Sequence, residues 1–270
     1  MPELPEVETT RRGIAPHIVG KRLREWLVRE PRLRWPIEPD WPNLVAGQQV
    51  TDLTRRSKYL VLHLERGQLL AHLGMSGQFR ILPDHTEPEK HDHVDWLFDD
   101  DTLVRYRDPR RFGAMLYTLD WTQHPLITSL GPEPLSDAFT GAYLYQQLKK
   151  RRGPVKSALM DAHLVVGVGN IYANEALFHA GIHPLRKAHR ISQSRCERLV
   201  AEVKAVLTRA IAEGGTTLRD YVSATGAPGY FRVSLAVYGR RGEACIGCGN
   251  PLREVRLSGR STVFCPVCQR

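Results

Sequence analysis

Four cysteines near the end of the chain have the spacing of a metal site. Cys245, Cys248, Cys265 and Cys268 form two CxxC pairs with 16 residues between them. Two such turns each present two thiolates, and together they complete a closed tetrahedral zinc site. Because four cysteine ligands leave no open coordination position, we expect one structural Zn²⁺ ion per chain rather than a catalytic one. Redox dithiols or an iron–sulfur site are the alternative interpretation of this spacing.

The segment between the two cysteine pairs predicts a β-hairpin. REVRL and STVF are short runs with strand character, and Ser258, Gly259 and Arg260 fall at the turn between them. A metal-stapled hairpin that carries Arg253, Arg256 and Arg260 is well shaped for a nucleic-acid groove. The same arginines also suit a solvated protein surface, and the hairpin alone does not separate the two interpretations.

The first residues, MPELPEVE, combine prolines and carboxylates where a helix starts. Pro5 suits the first turn because its missing N–H would have no partner there, and the acidic residues that follow complement the positive end of the helix dipole. Gly13 permits the helix to stop, so the pattern predicts a short helix from Pro5 to Arg12. None of this explains Pro2 or Glu3.

Two further segments have features of phosphate binding. LVVGVGNIYANEALF carries Gly167 and Gly169 directly before a predicted helix start at Asn170. Small residues there permit close approach, and the first N–H groups of a helix favour a phosphate. The run Lys149–Lys156, KKRRGPVK, is strongly basic and fits either a solvated surface or a clamp on a DNA backbone.

The composition favours a globular protein that meets a polyanion. The chain has 270 residues, 42% of them hydrophobic, and 38 basic against 29 acidic residues give a net charge of +9. This positive charge favours nucleic acid as the partner. No apolar run approaches the length that spans a bilayer, and no signal peptide is visible. Paired CxxC spacing with an odd cysteine count, Cys196 being the fifth, favours a reducing cytosol.

The hydrophobic pattern indicates an α+β chain of several domains. Residues 20–119 contain mostly strand patterns, with hairpins that turn at Glu-Arg-Gly and at Asp99–Asp101, which predicts an antiparallel β-sandwich. After SLGPEPLSD, four segments beginning GAYLY, GPVKS, NIYAN and SQSRC carry apolar residues at helical spacing. Gly214–Tyr230 has no sustained period and is predicted to be a functional loop. The predicted domains are residues 1–130, 131–235 and 236–270.

These motifs together resemble bacterial formamidopyrimidine-DNA glycosylase over essentially the whole chain. The resemblance is carried by PELPEVET, HLGMSG, EKHDHVD, DPRRFG, LGPEPL, VVGVGNIYANE, GGTTLRDY and PGYF, together with the cysteine module. It implies a bifunctional base-excision enzyme that removes oxidised purines, such as 8-oxoguanine and formamidopyrimidines, and cleaves the abasic strand by β,δ-elimination. It also implies an N-terminal β-sandwich, a helix–two-turns–helix DNA-binding domain with a lesion-recognition loop, and a C-terminal zinc finger.

The resemblance assigns chemistry to the two residues that helix formation leaves unexplained. Pro2 matches the family's Schiff-base nucleophile, because removal of the initiator methionine, which a small second residue permits, exposes its secondary amine. A terminal α-amine titrates about 2.5 units below lysine, so far more of it is unprotonated at neutral pH. Glu3 matches the family's proton donor during base loss, a role that needs a desolvated pocket. Glu6 also matches the pattern, although helix capping explains it equally well.

Two further matches concern cleavage of the DNA strand. Lys58, in RRSKYL, corresponds to the family's proton donor in β-elimination, whereas without the resemblance it is one more strand lysine. Arg260 corresponds to the arginine at the hairpin tip that is implicated in δ-elimination. Because a guanidinium group hardly deprotonates, we expect Arg260 to clamp phosphates as much as to move protons.

The remaining matches concern holding the DNA. The family's DNA-contact positions fall on His91, Arg110, Arg152 and Asn170. Arg151 is an alternative to Arg152 for the phosphate contact. Met75, Arg110 and Phe112 match the trio that enters the duplex when the damaged nucleotide turns out. The apolar side chains offset the lost stacking, and the arginine pairs with the base left unpaired on the opposite strand. Gly214–Tyr230 matches the loop that closes over the everted purine.

Two other functions and one other metal site also fit parts of the sequence. An endonuclease VIII-like glycosylase for oxidised pyrimidines shares the fold and zinc finger, but PELPEVE, DPRRF and the long loop favour the purine branch. A zinc-dependent protein that binds damaged DNA without chemistry has no need of Pro2, Glu3 and Lys58. HDH at 91–93 would suit a metal, although the cysteines already supply the expected one. The expected partner is damaged double-stranded DNA, and no association with a membrane is expected. The protein is expected to be a monomer in the bacterial cytoplasm.

Overall fold

The computed structural model describes residues 2–83, 85–215 and 235–270. These residues form two compact units, the first containing 2–128 with 213–215 and the second containing 129–212 with 235–270. The predicted α+β class is confirmed, with antiparallel sheets in the first unit and helices followed by a hairpin in the second. The division into three domains stays a prediction. Most of the predicted loop Gly214–Tyr230 lies outside the described residues.

The described part of the first unit has two antiparallel sheets and one long helix, α1 (Leu4–Ile18). The strands are β1 (Leu23–Val28), β2 (Val50–Arg56), β3 (Tyr59–Leu64), β4 (Gln68–His72), β5 (Gln78–Pro83), β6 (Asp92–Phe98), β7 (Thr102–Arg107) and β8 (Ala114–Thr118). One sheet has the order β1-β6-β7-β5 and the other β2-β3-β4-β8. Short helices α2 (Trp41–Val45) and α3 (Pro125–Thr128) lie in connections. Both predicted hairpins, β3–β4 and β6–β7, are confirmed.

Side chains from both sheets meet in one buried core. Trp96 and Tyr106 come from one sheet and Leu62 and Leu69 from the other, and all four are almost fully buried in the same cluster. Alternation of apolar and polar residues along each strand produces this arrangement, because successive side chains point to opposite faces. The predicted antiparallel sandwich is therefore the scaffold of the first unit.

Helix α1 is longer than the sequence pattern predicted. The prediction that it ends at Arg12 is wrong, since it continues through Gly13 to Ile18. Ile14 and Ile18 are completely buried in the sandwich core. Burial of those two side chains offsets the cost of about 1 kcal/mol that a glycine imposes within a helix.

The second unit contains the predicted helices and hairpin. The helices are α4 (Gly141–Lys149), α5 (Val155–Leu159), α6 (Asn170–His179) and α7 (Gln193–Ala212), and the strands are β9 (Arg253–Leu257) and β10 (Arg260–Phe264). Helix α6 is the central element, because every residue from Ile171 to Phe178 is buried. REVRL and STVF pair as antiparallel strands, as predicted. Within the described ranges, no helix is long and apolar enough to span a membrane.

Candidate functional site

Two of the residues predicted to carry the chemistry, Pro2 and Glu3, are buried at the start of α1. Pro2 is buried, and Glu3 is only 3% exposed. Glu3 is the N-cap of the helix, and its backbone N–H donates a 2.7 Å hydrogen bond to Oε2 of Glu6, one of the two bonds of a capping box. Chain termini usually fray unless they are tied down. Here the first residues are a fixed part of the first unit.

A second set of contacts ties α1 to the hairpin that carries Lys58. Helix α1 packs against β2 and β3, and Oε2 of Glu8 accepts a 3.3 Å hydrogen bond from Nε of Arg55 in β2. Burial acts to raise the pKa of Glu8, but hydrogen bonds from Arg11 and Arg12 lower it overall, so the carboxylate stays ionised. Lys58 lies in the turn between β2 and β3, directly after Ser57 at φ +58°.

His72 is a half-buried neutral base whose pKa is influenced by the charge of Lys58. Its Nδ1 accepts a 3.0 Å hydrogen bond from the backbone N–H of Gly74, and its ring centroid lies 4.9 Å from that of Tyr59. Burial first, and then the positive charges of Lys58 and Arg34, lower the pKa of His72 to about 4. The imidazole is therefore neutral at physiological pH and keeps Nδ1 as an acceptor. The sequence analysis missed His72, because its place at the end of a strand gave no signal of its lowered pKa.

The trio predicted to enter the duplex comes together on two adjacent turns. Met75 is 38% exposed and Phe112 is 45% exposed, so both apolar side chains are accessible to a partner. The guanidinium carbon of Arg110 lies 4.8 Å from the centroid of the Phe112 ring. A Cβ atom on Gly74 would lie 2.3 Å from the backbone carbon of Phe112, so the two turns touch through their backbones. We call these residues, Met75, Arg110 and Phe112, the wedge.

His91 precedes β6 and adopts a left-handed conformation at φ +77°. Partial loss of hydration, followed by the charges of Lys90 and Arg107, lowers its pKa, so the ring is neutral at physiological pH. Its backbone carbonyl accepts a 3.1 Å hydrogen bond from the N–H of Asp108, which links it to the turn that carries the wedge. Neither His91 nor His93 belongs to a group of potential metal ligands in the described part of the chain.

Lys156 does not lie on the surface with the rest of the basic run, so that part of the prediction is wrong. It is 1% exposed, and its Nζ donates to Oδ1 of Asn170 at 2.6 Å, to the carbonyl of Ser261 at 2.9 Å and to Oγ1 of Thr262 at 2.7 Å. Asn170 is the first residue of α6, as the sequence predicted. The buried ammonium group thus joins the start of α6 to the strand that begins at Arg260.

The structure distinguishes the two arginines that the sequence left as alternatives. Arg151 forms a 2.7 Å ion pair with Asp161, whereas its neighbour Arg152 is exposed and pairs with no acidic residue in the part of the chain that is described. Arg152 is therefore the better placed of the two for a phosphate. Arg260, at the start of β10, is also exposed, and the hairpin turn before it is formed by Ser258 and Gly259, both at positive φ.

Glu175 is a second buried group that the sequence gave no reason to single out. Its carboxylate accepts hydrogen bonds from the backbone N–H groups of Ala236 at 2.7 Å, Val237 at 3.0 Å and Tyr238 at 2.8 Å. Three bonds from neutral donors to one anion are strong enough to fix that backbone segment against α6. Glu175 thereby anchors the chain where it enters the cysteine module.

The four predicted zinc ligands converge. Their Sγ atoms lie within 4.8 Å of one another, with 3.9 Å between Cys245 and Cys268 and 3.5 Å between Cys248 and Cys265. A tetrahedral Zn²⁺ with Zn–S bonds of about 2.3 Å requires sulfur atoms about 3.8 Å apart. The cluster therefore fits one structural zinc ion. Cys196 is buried elsewhere, and burial raises the pKa of its thiol to about 11, which leaves it protonated and inert.

Family models match three parts of the chain. Residues 1–115 match the formamidopyrimidine-DNA glycosylase N-terminal domain, residues 130–222 the H2TH domain of the same glycosylase, and residues 242–270 a zinc finger found in Fpg and IleRS. Similar curated proteins are the formamidopyrimidine-DNA glycosylases of Acidithiobacillus ferrooxidans, 59% identical, and Marinobacter nauticus, 54% identical. Each alignment covers 100% of both chains.

Solved structures of the same kind match the whole fold. The crystal structure of MutM (Fpg) from Thermus thermophilus is 41% identical, with a TM-score of 0.89 over 99% of this chain and 98% of that one. Wild-type Lactococcus lactis Fpg, in complex with N7-benzyl-Fapy-dG containing DNA, is 34% identical, with a TM-score of 0.92 over 100% of both chains. The resemblance inferred from the sequence motifs is confirmed by both kinds of comparison.

Proposed function

This chain belongs to the formamidopyrimidine-DNA glycosylase family and is a base-excision glycosylase for oxidised purines, and we propose that its reaction runs through the amine of Pro2. In this proposal the same amine first displaces the damaged base and then cleaves the abasic strand by β,δ-elimination. The protein acts as a monomer on damaged double-stranded DNA in the bacterial cytoplasm.

The burial of Pro2 and Glu3 is the observation that carries this proposal. Pro2 and Glu3 are buried, and the Glu3 backbone is held by the Glu6 carboxylate. Burying the first residues of a chain has an entropic cost, because chain ends are otherwise free to move. A chain end with no function would gain little from that burial. An amine nucleophile, by contrast, must be held at a fixed place to meet the C1′ atom of a turned-out nucleotide.

The proposed steps need water as their only further reactant, to accept protons and to release the sugar from Pro2 at the end. After removal of Met1, the lone pair of the Pro2 nitrogen attacks C1′, and the glycosidic bond breaks with its electron pair leaving on the base, to which Glu3 gives a proton. The C1′–O4′ bond then breaks as the C=N bond forms, and O4′ takes up the proton that the Pro2 nitrogen loses. The resulting iminium ion stays charged because the proline amine is secondary. The charge acidifies C2′, water takes the C2′ proton as the C3′–O bond breaks, and Lys58 gives a proton to the departing 3′-phosphate. Loss of the C4′ proton to water then breaks the C5′–O bond and expels the 5′-phosphate, beside Arg260.

Three side chains and the start of α6 hold the DNA in this proposal. His91, Arg152 and Arg260 contact the backbone, and the N–H groups at the start of α6, together with Asn170, take a phosphate. The wedge fills the space of the everted nucleotide. The bound zinc ion shapes the hairpin that carries Arg260 and supplies no chemistry of its own.

Covalent trapping tests the proposal. We expect borohydride to reduce the iminium ion and to leave the protein attached to duplex DNA that contains 8-oxoguanine opposite cytosine. Peptide mass analysis of the adduct should place the attached sugar on a Pro2 that lacks Met1. The control is the protein blocked at its N-terminal amine, which should bind the same duplex and yield neither adduct nor strand cleavage.

Three results would contradict the proposal. Intact binding with no adduct would favour a protein that recognises damage without chemistry. A preference for thymine glycol over 8-oxoguanine would move the activity to oxidised pyrimidines. Strand cleavage by the blocked protein, or an adduct on a lysine, would remove Pro2 from its role.

A further inference from the structure

Asp108 is a fully buried carboxylate that no proposed step uses. Both of its oxygens accept hydrogen bonds from groups near the wedge. Oδ1 accepts from Oγ of Ser76 at 2.6 Å and from the backbone N–H of Arg110 at 3.2 Å. Oδ2 accepts from the backbone N–H of Gly113 at 2.8 Å and from the hydroxyl of Tyr106 at 3.1 Å. Among the described residues, no ion pair includes Asp108, so hydrogen bonds alone compensate its buried charge.

Each residue of the wedge either donates a hydrogen bond to this carboxylate or is the sequence neighbour of a residue that does. Arg110 donates its own N–H, Met75 precedes Ser76, and Phe112 precedes Gly113. Oγ of Ser76 also accepts the Arg110 N–H at 3.2 Å, so the two turns are cross-linked twice. Asp108 is therefore the point at which the turn that carries Met75 meets the turn that carries Arg110 and Phe112.

Little space is left for the two turns to move independently. A Cβ atom on Gly113 would lie 1.7 Å from the hydroxyl oxygen of Tyr106, and one on Gly74 would lie 2.5 Å from the carbonyl oxygen of Phe112. The backbone carbonyl of Asp108 also accepts a 2.8 Å hydrogen bond from Nε2 of His93. These contacts hold the backbone beneath the wedge, while the side chains of Met75 and Phe112 remain exposed.

We propose that Asp108 is a positioning residue for eversion of the damaged nucleotide, acting by fixing Met75, Arg110 and Phe112 as one rigid wedge. The inference rests on the proposed function, because it assumes that these side chains enter the duplex. Unstacking a base costs a few kcal/mol, and a wedge repays this only if its parts occupy the vacated space together. A wedge whose turns move separately supplies less of that compensation.

The test compares two reactions that differ in their need for eversion. Asp108→Asn replaces one oxygen by an amide donor, so the backbone N–H of either Arg110 or Gly113 must lose its acceptor. We expect single-turnover excision of 8-oxoguanine opposite cytosine to fall about tenfold to a hundredfold, and cleavage at a preformed abasic site, which has no base to unstack, by less than about threefold. Mismatching the two flanking base pairs should restore excision by the variant, because it weakens the stacking that the wedge must overcome.

Two further variants complete the design. Ser76→Ala removes the hydroxyl cross-link and leaves the carboxylate in place, so it should show the same selective loss to a smaller degree while folding normally. Asp95→Asn is the matched control: Asp95 is another buried aspartate of the first unit, paired with Arg105 and Arg29, and its loss should leave the ratio of the two reactions unchanged.

The outcomes separate this inference from the proposed function. Equal loss of both reactions in Asp108→Asn and Ser76→Ala, or failure of the flanking mismatches to restore excision, overturns the role of Asp108. Failure of the wild-type protein to excise 8-oxoguanine or to form the borohydride adduct overturns the proposed function instead.

Discussion

The carboxylate of Glu6 holds the backbone N–H of Glu3 at 2.7 Å, and so fixes the direction in which the chain continues to Pro2. Glu6→Ala removes this acceptor, whereas Glu6→Gln keeps an oxygen at the same place. A hydrogen bond to a charged group contributes about 1.5–3 kcal/mol. We therefore expect Glu6→Ala to lower the rate of borohydride trapping by about tenfold or more, and Glu6→Gln to lower it less. Equal losses in the two variants would show that the charge matters and the hydrogen bond does not.

Removal of zinc should weaken DNA binding and leave the first unit folded. The five tryptophans, at positions 26, 35, 41, 96 and 121, all lie in the first unit, so their emission reports on that unit alone. We expect a chelator to reduce affinity for duplex DNA, because the hairpin arginines lose their support, and to leave tryptophan emission unchanged. A shift of the emission to that of the unfolded chain would contradict the independence of the sandwich.

The half-buried imidazole of His72 should make the first unit sensitive to acid. Its pKa is about 4 in the folded protein against an ordinary value of 6.5, so below pH 6.5 the unfolded chain takes up a proton that the folded one does not. The contribution to stability is thus complete above pH 6.5 and falls as the pH drops toward 4, by about 3 kcal/mol in total. His72→Asn keeps an acceptor for the Gly74 N–H and does not titrate.

The measurement is the free energy of unfolding in urea, followed by tryptophan emission at several pH values. We expect the wild-type protein to lose stability relative to His72→Asn between pH 6.5 and 4, and the difference between them to stay constant above that range. Parallel curves over the whole range would mean that His72 is not the titrating group.

Lys156→Met should destabilise the second unit. The substitution preserves most of the side-chain volume but leaves the acceptors of Asn170, Ser261 and Thr262 without their shared donor, at a cost of about 3 kcal/mol. The loss is measured as a lower urea midpoint of the helical ellipticity, which comes mainly from the second unit. Lys150→Met, at an exposed lysine of the same basic run, is the control and should change the midpoint little. A wild-type midpoint for Lys156→Met would contradict this role.

Local patterns in the sequence determined the zinc site, both sandwich hairpins and the start of α6. Each of these depends on residues close together in the chain: the two residues between paired cysteines, the alternation on either side of Glu65–Gly67, and the glycines before Asn170. Spacing and periodicity encode such features directly, because backbone geometry converts them into shared faces and turns. The resemblance of the motifs then supplied roles for Pro2 and Glu3 that no local pattern contains.

Only the tertiary structure decided which polar residues are buried and what they hold. Ser76 and Asp108 are 32 positions apart in the chain, and Lys156 and Thr262 are 106 apart, yet both pairs are in hydrogen-bond contact. A lysine in a basic run and an aspartate in a turn look like surface residues, because nothing local records that a distant strand covers them. The same holds for the end of α1, where packing of Ile14 and Ile18 outweighs a local stop signal. Burial is a property of the whole chain, and the partners that compensate a buried charge come from wherever the fold brings them.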